Sequence, residues 1–195
     1  MDTNELGGEK QSTELRDLFL FEIDGDLYAV PVELVDRVMK IPPVTPIPNA
    51  PSAILGIFHA RGKVILVIDI ASRMNIPKVK PLSPNFLFVA KMNKEYYAIL
   101  IDKPKNIVHI PIHEILPAGA LVAAHMPPQY VDGVFMHVEV PAHKPLKHSF
   151  LIVAATNIPK NDEAIKSIKR PVVLLNLTRL LDQEDLKQIF ASQES

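Results

Sequence analysis

The sequence predicts a mainly β protein built from two similar lobes, and three observations lead to this fold class. Residues 18–38 and 86–108 repeat the same order of apolar strand, polar turn and apolar strand. The apolar runs are short and lie between turns rich in Pro and Gly, which favours small β-barrels over an α/β sheet. The middle of the chain lacks the long 3.6-residue apolar periodicity that predicts a helix.

The first repeat is marked by aromatic residues in matching positions. The Asp24-Gly25 pair in its first copy is typical of a hairpin turn. The corresponding turn in the second copy, Met92 to Lys94, is expected to be longer and looser. The aligned aromatic positions are Phe19, Phe21 and Tyr28 in the first copy and Phe86, Phe88 and Tyr97 in the second.

A second repeat follows in the same order. Residues 56–74 resemble residues 133–136 followed by 170–181, and Asp69 takes the place of Asn176. In the first copy the connection between the strands is a short turn, whereas in the second copy it is an insertion at about residues 138–169. We expect this insertion to be an extra hairpin or loop packed on the second lobe, with a partner-specific contact as the alternative.

These repeats give a domain plan for the chain. We expect a polar tail over residues 1–16, a first lobe at about 17–80 and a second lobe at about 85–178 that includes the insertion. Apolar residues at i, i+3 and i+4 spacing predict a C-terminal helix at about 178–192. This helix is expected to close one of the lobes, and partner binding is the alternative.

Composition and charge exclude several function classes. The net charge of −1 lacks the basic footprint of a general nucleic-acid binder. The absence of Cys excludes disulfide scaffolds and thiolate metal sites. The start of the chain has no apolar region typical of a signal peptide, and no apolar run reaches the roughly 18 residues of a membrane span. We therefore expect a cytoplasmic protein with no nucleic-acid partner and no direct membrane insertion.

No set of residues predicts catalysis, a metal site or a cofactor. The G-x-S-x-G, Walker and G-x-G-x-x-G patterns are all missing. His109 and His113 have the spacing of a helical metal pair, but Pro111 between them is unfavourable inside a helix. Asp69 and Asp102 each end an apolar strand, where helix capping or ion pairing is expected rather than acid–base chemistry. The prediction is a protein that is not an enzyme.

The segment from residue 45 to residue 69 also resembles a known family, the CheW-like domains. These domains couple chemoreceptors to the histidine kinase CheA. The similarity continues at residues 28–32, 96–102, 130–135 and 171–181. It implies one CheW-like domain over residues 17–195, made of two five-stranded SH3-like β-barrel lobes, and the function of a non-enzymatic adaptor. The matching positions in the first segment are Thr45, Pro46, Pro48, Pro51, Gly56, Arg61, Gly62 and Asp69.

The resemblance also implies where partners bind. The tip of a methyl-accepting chemoreceptor would occupy a groove between the lobes, and the regulatory domain of a CheA-type histidine kinase would bind the lobe ends. The residues implied for the receptor are Val35, Arg37, Ile99, Ile101 and Val108. The residues implied for the kinase are Arg61, Gly62 and Asp69.

Arg37 departs from the family pattern, in which an acidic residue usually stands here and can pair with the residue matching Arg61. Two Arg side chains cannot pair, so each needs another carboxylate, and Asp36, Glu33 and Asp69 are candidates for Arg37 or Arg61. Arg61 is projected from a tight turn. A structural ion pair and a fork-shaped donor at a protein interface are both open interpretations of this residue.

Three alternatives compete with the chemotaxis adaptor. One is a CheW-like adaptor of another chemosensory pathway, such as type IV pilus twitching motility. A nucleic-acid-binding β-barrel is the second, but it would interleave basic residues with aromatic ones, and the lysines here fall in Pro-rich loops with few aromatics. An enzyme is the third, and it would need a pocket with matched polar groups that the sequence does not supply.

Overall fold

A computed structural model describes residues 14–74, 76, 86–92, 94–119, 126–139 and 168–181. These residues form ten strands, two short α-helices and three short 3-10 turns. No helix in these ranges is long and apolar enough to cross a membrane. The strands are β1 (Leu15–Ile23), β2 (Asp26–Pro31), β3 (Val35–Lys40), β4 (Ile54–Ala60), β5 (Lys63–Ile68), β6 (Phe86–Met92), β7 (Glu95–Ile101), β8 (Lys103–Pro111), β9 (Val131–Glu139) and β10 (Ile168–Leu175), and the helices are α1 (Ile70–Arg73) and α2 (Leu177–Leu180).

The strands form two five-stranded sheets with the same internal plan. Lobe A has the strand order β8-β1-β2-β10-β9, and lobe B has the order β3-β6-β7-β5-β4. Each lobe contains one parallel pair, β2 with β10 and β5 with β7, and its other neighbours are antiparallel. The predicted mainly β fold with two similar five-stranded lobes is confirmed.

The two lobes are not the two halves of the sequence. The first hairpin, β1–β2, joins lobe A with β8, β9 and β10, whereas the hairpin β6–β7 joins lobe B with β3, β4 and β5. The lobe boundaries expected at about 17–80 and 85–178 therefore do not describe the sheets. The two hairpins are buried on both faces, so alternation along their strands does not specify which strands pair with them.

The core explains why each hairpin is apolar on both faces. Along β1, Leu18 and Leu20 point into the interior of lobe A, while Phe19 and Phe21 enter an apolar cluster between the lobes. Phe88 of lobe B meets them there, with its ring centroid 5.7 Å from that of Phe19 and 5.2 Å from that of Phe21. Burying aromatic rings from both sheets in one cluster couples the lobes into a single unit.

Two-residue turns close the hairpins. Asp24 and Gly25 have φ of 50° and 88°, and Arg61 and Gly62 have φ of 50° and 71°. Positive φ at both central positions is the geometry of the turn that matches the twist of antiparallel strands. The turn between β6 and β7 is also of this length, because Met92 pairs directly with Glu95. The expected greater length of the second turn is therefore wrong.

A short backbone bridge closes each lobe over a glycine. Gly56 of β4 has φ of 145°, and a Cβ atom there would overlap the carbonyl oxygen of Thr45. A Cβ at Gly133 of β9 would lie 2.5 Å from Cγ2 of Ile115. Glycine at these two positions lets a loop pass close enough to pair with the strand. The bridged pairs are Thr45–Ile57 in lobe B and Leu116–Val134 in lobe A.

Several predicted segments lie wholly or partly outside the described residues. The polar tail is described only from residue 14, and the C-terminal helix only up to residue 181. The described part of that helix is the single turn α2. The predicted insertion is described only at its two ends, which are paired strand residues, since Ile168 of β10 lies opposite Glu139 of β9. Residues 140–167 lie outside the described ranges.

Candidate interaction surfaces

Arg61 and Gly62 form an exposed turn at one end of lobe B. The ladder beneath the turn is continuous, because Ala60 pairs with Lys63 and His59 pairs with Val64. The hairpin therefore projects the Arg61 side chain from a stiff base. No carboxylate in the described part of the chain forms an ion pair with Arg61, which favours the interface interpretation over the structural ion pair.

Asp69 lies at the other end of β5, where it caps α1. Its carboxylate accepts hydrogen bonds from the backbone N–H of Ser72 at 3.2 Å and from the Ser72 hydroxyl at 2.7 Å. Only 8% of Asp69 is exposed. The expected capping role is confirmed. Six residues of β5 separate Asp69 from the Arg61-Gly62 turn, a span of about 20 Å, so Asp69 does not adjoin that turn.

Asn176 occupies the position in lobe A that Asp69 occupies in lobe B. Its side-chain oxygen accepts a hydrogen bond from the backbone N–H of Arg179 at 2.9 Å and so caps α2. Its amide nitrogen donates to Asp132 at 2.7 Å. The predicted equivalence of Asp69 and Asn176 is therefore confirmed, because each side chain caps the short helix that follows its strand.

The residues implied for the receptor groove divide into buried and accessible sets. Ile99 and Ile101 are 0% and 1% exposed and belong to the cluster between the lobes. Val108 is 9% exposed and packs inside lobe A. These three side chains do not line an accessible groove, because β7 is the central strand of lobe B and Val108 faces the interior of lobe A. Val35 and Arg37 on the edge strand β3 are partly exposed.

Arg37 sits next to a bulge in the pairing of β3 with β6. Its Nε lies 3.2 Å from Oδ2 of Asp36, and 23% of its side chain is exposed. Asp36 is therefore the carboxylate that compensates the positive charge, as one of the three expected partners. The Nε atom itself is buried, and the exposed part of the side chain lies at the edge strand β3.

Two apolar residues that the sequence interpretation missed flank the junction of the lobes. Val38 on β3 pairs with Phe88, and Ile107 on β8 pairs with Phe19. Directly paired residues share a face, and both Phe side chains lie in the cluster between the lobes. Val38 and Ile107, 39% and 51% exposed, therefore lie at two edges of that cluster, and we refer to them together as the apolar rim. Period-two alternation along one strand could not have found them, because their place on this face depends on which strands pair.

At the end of lobe A, ion pairs link four strands. Lys105 Nζ lies 3.0 Å from a carboxylate oxygen of Glu22 and 2.9 Å from one of Glu139. Arg170 lies 3.1 Å from the other oxygen of Glu139 and donates to the carbonyl of Gly25. The hydrogen bond from Lys105 holds the pKa of Glu139 below its ordinary value, and Arg170 adds to the effect. This network fixes the end of the barrel.

Asp102 joins the two lobes at the point where the chain passes from β7 to β8. Its carboxylate accepts a hydrogen bond of 2.6 Å from the backbone N–H of Asp24. Burial raises the pKa of Asp102, against the lowering effect of that hydrogen bond. The contact ties the chain between β7 and β8 to the turn between β1 and β2.

The histidines do not form a metal site in the described ranges, where no group of three His, Cys, Asp or Glu side chains is arranged to hold an ion. His109 lies on β8, and its Nδ1 is 2.6 Å from a carboxylate oxygen of Asp17 on β1. His113 lies in the 3-10 turn after β8. The strand geometry of β8 removes the helical spacing that would have brought the two histidines together.

Comparison with known proteins gives a consistent set of similarities. Residues 17–137 match the family model described as CheW-like domain. The chemotaxis protein CheW of Rhizobium meliloti is 26% identical over 102 residues, covering 52% of this chain and 66% of that protein. The protein FrzA of Myxococcus xanthus is 29% identical over 120 residues, covering 60% of this chain and 74% of that protein.

The fold is shared with a solved scaffolding protein. The crystal structure of TtCheW from Thermoanaerobacter tengcongensis matches with a TM-score of 0.63 at 18% identity, covering 91% of this chain and 95% of that one. At this identity the likeness concerns the fold, and it confirms the predicted pair of SH3-like lobes.

Proposed function

The chain belongs to the CheW-like domain family, and from this premise we propose that it couples chemoreceptors to a CheA-type histidine kinase in chemotaxis. Proteins of this family are scaffolding and adaptor proteins rather than enzymes, in line with the prediction of a non-enzymatic chain. The proposed function places the protein in the cytoplasm, where it would hold receptor and kinase in one assembly. The observation that carries the proposal is the apolar rim at the junction of the lobes.

The receptor site is the rim formed by Val38 and Ile107, together with Val35. Apolar side chains on two edge strands that face one junction suit the apolar face of a helical receptor tip. Arg37 pairs with Val89 and lies on the other face of β3, so its charge would act at the margin of this surface, where it would favour an acidic group on the receptor. Ile99 and Ile101 lie in the cluster beneath the rim, Val108 packs inside lobe A, and none of the three touches the receptor.

The kinase site is the Arg61-Gly62 turn at the end of lobe B, and Asp69 holds the distant end of the same hairpin. Because the lobes share one apolar cluster, receptor contact at the rim and kinase contact at the turn act on a single packed unit. Suppose that the kinase has an active and an inactive state, and that the adaptor binds one of them more tightly. A receptor conformation that changes the position of the adaptor would then shift the kinase toward the state that the adaptor binds more tightly.

Charge substitutions at the rim test the receptor site. Val38→Glu and Ile107→Glu are each expected to weaken binding of a receptor tip fragment at least tenfold, because a carboxylate would be desolvated in an apolar contact. Leu55 and Met136, 40% and 54% exposed, are controls of similar exposure on β4 and β9, the edge strands at the opposite end of each sheet from β3 and β8. Leu55→Glu and Met136→Glu should leave receptor binding unchanged.

The same variants separate the two partner sites. Arg61→Ala should weaken binding of the kinase regulatory domain and leave receptor binding and the melting temperature nearly unchanged. Val38→Glu and Ile107→Glu should preserve kinase binding. Calorimetric titration of each variant against each partner decides the matter, and equal losses in the rim and control variants would refute the receptor site.

A further inference from the structure

The end of lobe B that carries the Arg61-Gly62 turn also carries three exposed lysines. Strands β5 and β7 are parallel neighbours, so the turns that lead into them lie at the same end of the sheet. The four exposed cations at this end are Arg61, Lys63, Lys91 and Lys94, and we refer to them as the cationic end. The whole chain has a net charge of −1, so this cluster does not reflect a generally basic protein.

A tyrosine organises the cationic end. Lys63 Nζ lies 3.9 Å from the centroid of the Tyr96 ring. Lys91 pairs directly with Tyr96 across β6 and β7, which places both side chains on one face. Contact with the ring orients the ammonium group of Lys63 without neutralising it. The two lysines therefore keep their charge beside the exposed turn.

The matching end of lobe A neutralises its cations, which shows that the fold can do so. Glu22 pairs with Leu27 just as Lys91 pairs with Tyr96, so a carboxylate in lobe A stands where lobe B has a lysine. Glu22 and Glu139 bind the cations of lobe A. No ion pair within the described ranges joins a member of the cationic end to a carboxylate, and Glu95 is the acidic residue on its two turns.

We propose that the cationic end docks an acidic face of the protein that binds the Arg61-Gly62 turn. This inference rests on the proposed function, under which that protein is the kinase regulatory domain. Exposed charges around a contact steer the encounter and raise the association rate more than they stabilise the finished complex. Val64 on the same hairpin is 48% exposed and supplies the apolar contact expected of a protein partner rather than of a lipid or nucleic-acid surface.

The test measures the association rate of the full chain with the kinase regulatory domain from the same cell at low and high salt. The rate should fall about tenfold between roughly 50 and 500 mM salt, because screening weakens long-range attraction. The double variant Lys91→Gln/Lys94→Gln should associate about fivefold more slowly at low salt, with an unchanged dissociation rate. Lys91→Glu, which introduces the carboxylate that lobe A has at this position, should slow association further.

A matched control uses exposed lysines of lobe A. Lys103→Gln/Lys169→Gln removes the same charge from the other lobe and should associate at the wild-type rate. Melting curves establish that each variant is folded.

The outcomes separate the inference from the function on which it rests. If the association rate with the kinase domain changes neither with salt nor with the substitutions at Lys91 and Lys94, the inference is overturned and the adaptor function stands. Failure of the wild-type chain to bind the kinase domain overturns both. Binding to phosphatidylserine vesicles that depends on Lys91 and Lys94, with kinase binding unaffected by them, also overturns the inference and assigns the cationic end to a membrane surface.

Discussion

Lobe A and lobe B have the same strand order, the same bridge over a glycine and the same cap on a short helix, yet their ends differ in charge. In lobe A, Glu22 and Glu139 bind Lys105 and Arg170. Lobe B has Lys91 in the place of Glu22, and its hairpin ends in the two-residue turn at Arg61. Features common to the lobes maintain the fold, whereas features that differ are free to specify partners.

The bridge over glycine offers the largest test of the common features. Gly56→Ala should destabilise the protein by roughly 3 kcal/mol or more, because the methyl group overlaps the Thr45 backbone and φ is 145°. Gly133→Ala should cost less, about 1–3 kcal/mol, since its φ is not positive and its closest contacts, Cγ2 of Ile115 at 2.5 Å and the carbonyl oxygen of Leu116 at 2.9 Å, overlap less than Thr45 does at Gly56. Denaturant unfolding of both variants measures the two losses.

A matched control for these substitutions is Gly119→Ala, where nothing lies within 4 Å of the added methyl group. Its stability should stay within about 0.5 kcal/mol of wild type. If Gly133→Ala proved more destabilising than Gly56→Ala, the closer approach of the loop in lobe B would have to be abandoned.

The helix caps should show a smaller difference between the lobes. Asp69→Ala should cost about 2 kcal/mol, because the carboxylate is nearly buried and accepts two hydrogen bonds from Ser72. Asn176→Ala should cost about 1 kcal/mol, since its capping bond is exposed. Asp69→Asn keeps an acceptor at the cap and serves as the conservative control, and equal losses in both Ala variants would contradict this ranking.

The charged end of lobe A should give the smallest effect, and it depends on pH. The pKa of Glu139 is lowered on folding, so its contribution is fully present above the unfolded pKa and is lost as the pH falls through the folded value. Because these ion pairs are partly exposed, we expect a loss of about 1 kcal/mol or less between pH 5 and pH 3.

Glu139→Gln should remove that part of the acid dependence. Thermal melts from pH 3 to pH 7 compare the variant with wild type. Lys91 in lobe B forms no ion pair with a carboxylate in the described ranges, so Lys91→Gln should leave the acid dependence unchanged. Parallel pH curves for wild type and Glu139→Gln would show that the ion pairs add nothing to stability.

Much of the fold follows from local patterns in the sequence. The repeated aromatic positions, the Asp-Gly turn and the alignment of Asp69 with Asn176 depend on nearby residues, and each has its counterpart in the structure. Each hairpin, β1–β2 and β6–β7, pairs with strands from the other part of the sequence, and we call this arrangement the exchange of hairpins. It could not be predicted from local patterns, because period-two alternation identifies the faces of a strand but not its neighbours. The unbroken apolar run Leu18 to Phe21 was the available signal for a strand buried on both faces.

The same limit explains the result for the binding residues. Ile99 and Ile101 come from an apolar run on a central strand, so their similarity to positions in the family reflects the core. Val38 and Ile107 lie on edge strands, and their exposure depends on the pairing of the lobes. A surface made where two lobes meet cannot be located from one strand at a time.

Because of the exchange of hairpins, the two lobes are completed at different times during synthesis. All the described strands of lobe B have left the ribosome once Ile101 has, but lobe A contains both the first and the last of the described strands. During synthesis β1 and β2 therefore wait for nearly the whole chain, with β2 lacking its parallel neighbour until β10 emerges. Pairing strands that are distant in the sequence is slow, because the chain loses conformational entropy when the segments meet, before their contacts stabilise the pair. A chain cut short near residue 165 would keep a complete lobe B but leave its earliest strands exposed to aggregation.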